Sequence, residues 1–240
     1  MNRIITIGRE FGSGGRELGR RLSELLQFAY YDQEIVSEIA KRTSMSEAYV
    51  QQIVEHKPLM SFPISIGRSF YAGVNPIEQQ TQAIYVEQHR IIKELAEKSD
   101  CVIVGRCADY ILRDRHPFRI FVYADMASRM ERCREKGPAE ESLTDRELKQ
   151  KIQSVDRRRA KFYELYTGSP WRNMENFDVC VNTTHVSVRA WVPFLAKSGG
   201  VGEIGQRGSN HLSGTAFQAA SLPFKMACAL SPNWENRRPG

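Results

Sequence analysis

The chain has 240 residues, 41% hydrophobic and 26% charged, and a formal net charge of +6 from 34 Lys and Arg against 28 Asp and Glu. Such a balance fits a soluble globular domain whose partner is anionic, nucleotide or nucleic acid. Five isolated cysteines with no CxxC pair argue against a disulfide framework or a zinc site and favour a reducing cytoplasm. No apolar run reaches the roughly 18 residues of a membrane span, and "IITI" is too short for a secretory leader.

In chain order, Ile4 to Ile7 reads as a buried strand that stops at Gly8. Leu18, Leu22, Leu25 and Leu26 then recur at helical spacing, so a glycine-rich loop opens onto a helix. "FAYYD" (28 to 32) predicts a short second strand and Gln33 to Lys41 a helix, while Ser44 with Glu47 forms a capping-box pattern for a helix over about 46 to 56. Residues 57 to 76 carry prolines, glycines and aromatics without periodicity, which predicts a loop or hinge with ligand contacts. A long helix follows over 76 to 97, with Ile77, Ile84, Ile91 and Leu95 on one face.

"CVIV" (101 to 104), "RIFVY" (119 to 123) and "DVCVN" (178 to 182) predict further strands. Asp125 is placed to cap the next helix, Thr144 with Glu147 forms a second capping box, and a last helix is expected from about Ser187 to Lys197. Phe162, Leu165 and Tyr166, at helical spacing, are expected in the core. Alternating strands and helices imply a parallel sheet covered on both faces. From residue 198 glycines interrupt any periodicity, and 198–240 is expected to be a mostly disordered extension.

The chemistry concentrates in "GREFGSGGRELG" (8 to 19). A strand, a glycine turn and a helix amino terminus supply backbone N–H groups and a positive dipole end for a phosphate. Gly12, Ser13, Gly14 and Gly15 would form the cradle, with Arg16 and Glu17 in the first helical turn. Two readings compete. A Rossmann dinucleotide loop fits Gly12-Ser13-Gly14 and an acidic Asp32 after the second strand, but Glu17 stands where the third glycine belongs. The phosphate-binding pattern G-x-x-x-x-G-K-[ST] has Arg9 at its first glycine, Gly15 at the lysine and Arg16 at the hydroxyl. Arg16 or Arg9 could supply the missing charge as a planar donor, and Glu17 could reach a Mg2+ ion.

Three further segments carry arginines after strand ends: "VIVGRCADYIL" (102 to 112), "RIFVYADMASRMERCRE" (119 to 135) and "DRRRAKFYELYTGSPW" (156 to 171). In this order, with the glycine loop first, residues 3 to 196 resemble the cytidylate kinase-like family of P-loop nucleoside monophosphate kinases. The resemblance implies an α/β P-loop NTPase-type parallel sheet with helices on both faces. It places a kinase-like domain over 1–197, a helical monophosphate-binding insertion at about 33–98 and a lid at about 134–160.

It further implies phosphoryl transfer from ATP, with Mg2+, to a monophosphate such as CMP or dCMP. Arg16, Arg106, Arg157 and Arg159 would then be catalytic, and Asp32, Arg106, Arg129 and Arg132 would face the acceptor. The family's Gly-Arg-Asp segment is Gly105-Arg106-Cys107 here, which alters the acceptor side; Asp109 lies near but is not equivalent. A nucleotide-sensing module without catalysis is the alternative. A nucleic-acid partner would rest on the net charge alone, since no basic stripe with interleaved aromatics is present. Small nucleotides are the expected partners, without a membrane.

Overall fold

The computed structural model describes residues 2–51, 53, 76–137 and 143–199. The predicted loop at 57–76, all but its last residue, lies outside them, as do 138–142 of the predicted lid and 200–240 of the predicted extension. Five strands form one sheet: β1 (Ile4–Arg9), β2 (Ala29–Tyr31), β3 (Cys101–Val104), β4 (Phe118–Tyr123) and β5 (Val179–Asn182). Their order is β2-β3-β1-β4-β5 and every pairing is parallel, with β1 central. Ile4 pairs with Cys101 and Ile7 with Val104 on one side of β1, and Ile5 pairs with Phe118 and Arg9 with Val122 on the other.

The eight α-helices of the described residues are α1 (Gly15–Leu26), α2 (Gln33–Thr43), α3 (Glu47–Gln51), α4 (Pro76–Lys98), α5 (Ala108–Ile111), α6 (Met126–Lys136), α7 (Asp145–Thr167) and α8 (Val188–Gly199). None is long and apolar enough to cross a membrane. Because side chains alternate along a strand, a sheet buried on both faces needs nearly unbroken apolar runs, and β3 is buried at all four positions. On one face Ile5, Ile7, Val102, Val104, Ile120 and Val122 pack with Leu18 and Leu22 of α1 and Val192 and Leu195 of α8. On the other, Ile4, Ile103 and Phe121 join Ile35 and Ile39 of α2, Ile84 and Ile91 of α4, and Phe162 and Tyr163 of α7.

Both sheet class and strand positions agree with expectation, and two local details differ. Ser44 does not cap a helix: it ends α2 in the left-handed region at φ 54°, and the cap of α3 comes from Ser46, whose Oγ accepts from Tyr49 N at 3.2 Å. Of the expected helix over 46 to 56, Glu47–Gln51 is helical and residues 52 and 54–56 lie outside the described residues. Leu165 is 62% exposed. The inward stripe of α7 runs through Leu148, Ile152, Asp156 and Tyr163, which turns Leu165 to the opposite side. The Asp125 and Thr144 caps form as expected, the latter as a reciprocal box with Glu147.

Candidate functional site

Five parallel strands present their carboxyl ends along one edge. The chain leaves β1 for β2 on one flank, while the β3-to-β4 connection crosses to the other flank, so the crevice at the end of β1 is where an open α/β sheet takes its ligand. The residues gathered there are the loop 10–14, Asp32 after β2, Gly105 to Cys107 after β3, Asp125 after β4 and Thr183 after β5.

In the loop, Gly12 and Gly14 take φ of 77° and 85°, a region an L side chain enters only at a cost. Gly14 is the N-cap of α1 and among the described residues no side chain caps that helix, so the first-turn N–H groups of a 12-residue helix open toward the crevice. A Cβ at Gly12 would lie 2.8 Å from the Arg129 carbonyl, and one at Gly14 2.7 Å from a Val188 methyl. The turn is thus pressed between α6 and α8. Ser13, fully buried, donates to the Glu10 carbonyl at 2.9 Å and its own carbonyl accepts from the Thr183 hydroxyl.

A buried ionic network holds this turn. Arg129 donates through Nε to the Phe11 carbonyl at 2.7 Å and pairs with Glu10 at 3.1 Å and with Asp156. Asp156 accepts from Phe11 N at 2.8 Å, and Arg172 bridges Glu10 at 2.7 Å and Asp156 at 3.4 Å. Burial pushes the Glu10 carboxyl up, with Arg129 and Arg172 acting against it. Arg132 donates to the Gly12 and Thr183 carbonyls, and Arg159 to the Arg9 carbonyl at 3.1 Å while its guanidinium lies over the Phe11 ring. Among the residues expected to face an acceptor, Arg129 and Arg132 are therefore tied to the glycine loop. Arg129 is 4% exposed and its role in this state is to fix the loop's shape.

The other expected residues divide. Arg16 extends from the first turn of α1 and pairs with Asp32 at 2.6 Å, the carboxylate being buried and the guanidinium half exposed. Arg106, 6% exposed, follows β3 with φ 62°, between Gly105 at 74° and Cys107 at 54°. Three left-handed residues in succession, two with side chains, are a strained turn of the kind that recurs at ligand sites. Its carbonyl accepts from Nε2 of the fully buried Gln88, tying the turn to α4. Arg157 lines a cavity of about 490 Å3 with Glu10, Arg129, Asp156, Trp171 and Arg172.

Glu17 does not fit as a magnesium ligand here. Its carboxylate is paired with Arg21 at 2.9 Å and with Lys136, and the Lys136 hydrogen bond holds it below the usual carboxylate range. Glu10 and Asp32 are likewise committed to guanidinium groups. Among the described residues no group of three His, Cys, Asp or Glu side chains could hold a metal.

Sequence reasoning missed Glu10, Asp156 and Arg172 as loop anchors and Gln88 as the support of the β3 turn. A signal existed only for Glu10, an acid beside the glycines. Asp109, near Arg106 in sequence, is buried and accepts from the Tyr163 hydroxyl at 2.6 Å. Tyr163 is thus a structural partner of α5. Burial pushes the Asp109 carboxyl up despite that hydrogen bond. A carboxyl raised by folding adds stability below its unfolded pKa and loses it as pH rises through the folded one. Asp109→Asn is therefore expected to raise Tm at about pH 7, with a gain that shrinks toward about pH 4. Melting curves showing the same difference at both pH values would contradict this.

No functionally curated protein shows a significant match to the chain. Among solved structures it is similar to an uncharacterized protein from Eubacterium ventriosum, with 25% identity, 83% of this chain and 99% of that one covered, and a TM-score of 0.61. A shikimate kinase from Bacteroides thetaiotaomicron is similar in fold, at 16% identity, with the same two coverages and a TM-score of 0.51. Residues 4–185, well over half of the chain, match the model of the cytidylate kinase-like family. With the glycine turn at the central strand's end and the arginines converging on it, the chain belongs to the cytidylate kinase-like family, a P-loop protein of nucleotide-kinase type.

Proposed function

We propose that this protein transfers the terminal phosphoryl group of ATP to a nucleoside monophosphate, with CMP and dCMP the first candidates. The observation that carries the reading is the uncapped amino terminus of α1 behind two left-handed glycines, faced by arginines from separate elements. Such a turn suits a polyphosphate, and moving a phosphoryl group between two anions depends chiefly on positioned positive charge. The cytosine preference rests on the family alone.

In this reading the donor phosphates lie on Gly12 to Arg16, with Arg106 on the acceptor side, and Arg157 and Arg159 of α7 close over the cleft as lid arginines. An oxygen of the acceptor phosphate bonds to the γ-phosphorus, the bond to the β-phosphate oxygen breaks, and ADP leaves with that electron pair. Residues 1–197 would form the kinase unit, with the insertion at about 33–98 and the lid at about 134–160; 198–240 would be dispensable for it.

The test is ADP release from ATP against a panel of CMP, dCMP, UMP, AMP and GMP. The expected result is ADP formation that depends on the monophosphate, strongest with a cytidine nucleotide. ATP binding without monophosphate-dependent ADP would replace the reading with a nucleotide-sensing module.

A further inference from the structure

The absent lysine and the unexpected Arg9 belong to one steric arrangement. Position 15, where the lysine of the common pattern stands, has no room for a side chain: a Cβ on Gly15 would lie 2.5 Å from Cβ and 2.9 Å from Cγ of Arg9. Position 9, where that pattern has glycine, is filled. The stem of Arg9 occupies the space that a residue at 15 would need.

From there its guanidinium runs forward over the end of β3. A Cβ on Gly105 would fall 1.6 Å from an Arg9 terminal nitrogen, so in this position the guanidinium lies against the bare Cα of Gly105. The side chain is 10% exposed, and its other terminal nitrogen lies 3.6 Å from Oδ1 of Asp32. Among the described residues that buried oxygen receives no hydrogen bond, while Oδ2 is held by Arg16 at 2.6 Å. Asp32 therefore gathers two guanidinium groups from opposite ends of the glycine turn, one before it and one after it, at the mouth of the crevice.

We infer that Arg9 is the phosphate-binding cation of this loop, exchanged in space for the lysine at position 15, and that Asp32 holds it ready for a polyphosphate. Resting on the kinase reading above, this assigns the charge to Arg9, with Arg16 as its partner on the same carboxylate. A planar fork suits two phosphate oxygens at once, which an ammonium cannot match. It also explains why the substitution at 15 is to glycine and not to another residue: with Arg9 in place nothing larger fits.

Two measurements separate the steric part from the charge part. In thermal melts, Gly15→Ala should lower Tm in the wild-type background and cost little in an Arg9→Gly background; equal losses in both would overturn the exchange. In calorimetry with ATP and with inorganic tripolyphosphate, Arg9→Met keeps the stem and removes the charge, and should weaken binding by about 10-fold or more. The double variant Arg9→Gly with Gly15→Lys should recover part of the binding lost in Arg9→Gly, short of the wild-type affinity. Wild-type affinity in a folded Arg9→Met, or a folded double variant no better than Arg9→Gly alone, would overturn the assignment. Because tripolyphosphate binding needs no acceptor, loss of affinity in Arg9→Met alongside an enzyme inert to every monophosphate would sink the kinase reading and leave Arg9 as the phosphate ligand.

Discussion

Arg129→Met is expected to lower Tm by on the order of 10 °C, a larger loss than any other single change to the loop's surroundings. The reason is the company Arg129 keeps: removing it leaves Glu10 and Asp156 facing each other, both buried, with only the half-exposed Arg172 between them. Stripping one partner from a buried ionic cluster typically costs about 3–5 kcal/mol because the charges left behind remain desolvated. For a domain of this size each kcal/mol moves Tm by about 2–4 °C. The Phe11 carbonyl also loses its 2.7 Å hydrogen bond, so the glycine turn should loosen and ATP affinity fall together with stability. Adding Glu10→Gln to Arg129→Met should recover part of the loss by removing one stranded charge. Calorimetric unfolding at about pH 7 decides it; a change within about 2 °C would mean that the network is a solvated surface cluster.

The second large effect concerns turnover. Arg16→Ala and Arg106→Ala are each expected to lower kcat by roughly 10²-fold or more, with lysine a poor replacement at either position. Arg16 leaves the first turn of α1 beside the glycine turn, whereas Arg106 sits on the strained turn after β3, supported from α4 through Gln88. The two should separate in binding: Arg106→Ala should weaken monophosphate affinity and spare ATP, and Arg16→Ala should do the reverse. Arg16→Ala also removes one of two cations from Asp32, so part of its effect should be shared by Asp32→Asn. Steady-state kinetics with both substrates varied distinguishes these outcomes. Near wild-type kcat in both variants would leave the catalytic charge to Arg9 and the lid arginines alone.

Much of this architecture could be read from local pattern. The short apolar runs ending at Gly8, Gly105 and Ala124 mark strands buried on both faces, since only such strands are apolar without alternation. The caps at Asp125 and Thr144 were legible because their partners lie three residues away. Loop anchors were not. Asp156 meets Phe11 across 145 positions and Arg172 reaches Glu10 from beyond α7, and nothing in a window of sequence distinguishes such residues from a solvated charge. The arginines showed the same limit: "RMER" and "DRRR" announce charge, but whether Arg129 faces a substrate or a carboxylate depends on how α6 lies against the loop. Leu165 failed for a related reason, because helical spacing gives several candidate stripes and only packing chooses among them.

The most direct test of the central claim follows the phosphorus atoms themselves. In a 31P NMR time course of ATP with CMP and Mg2+ over the wild-type protein, the expected result is equimolar growth of ADP and CDP signals at the expense of ATP and CMP, with no inorganic phosphate beyond the protein-free control. ATP and CMP signals that remain unchanged while nucleotide binding is evident in the same sample, or conversion of ATP to ADP and inorganic phosphate alone, would contradict transfer to a monophosphate.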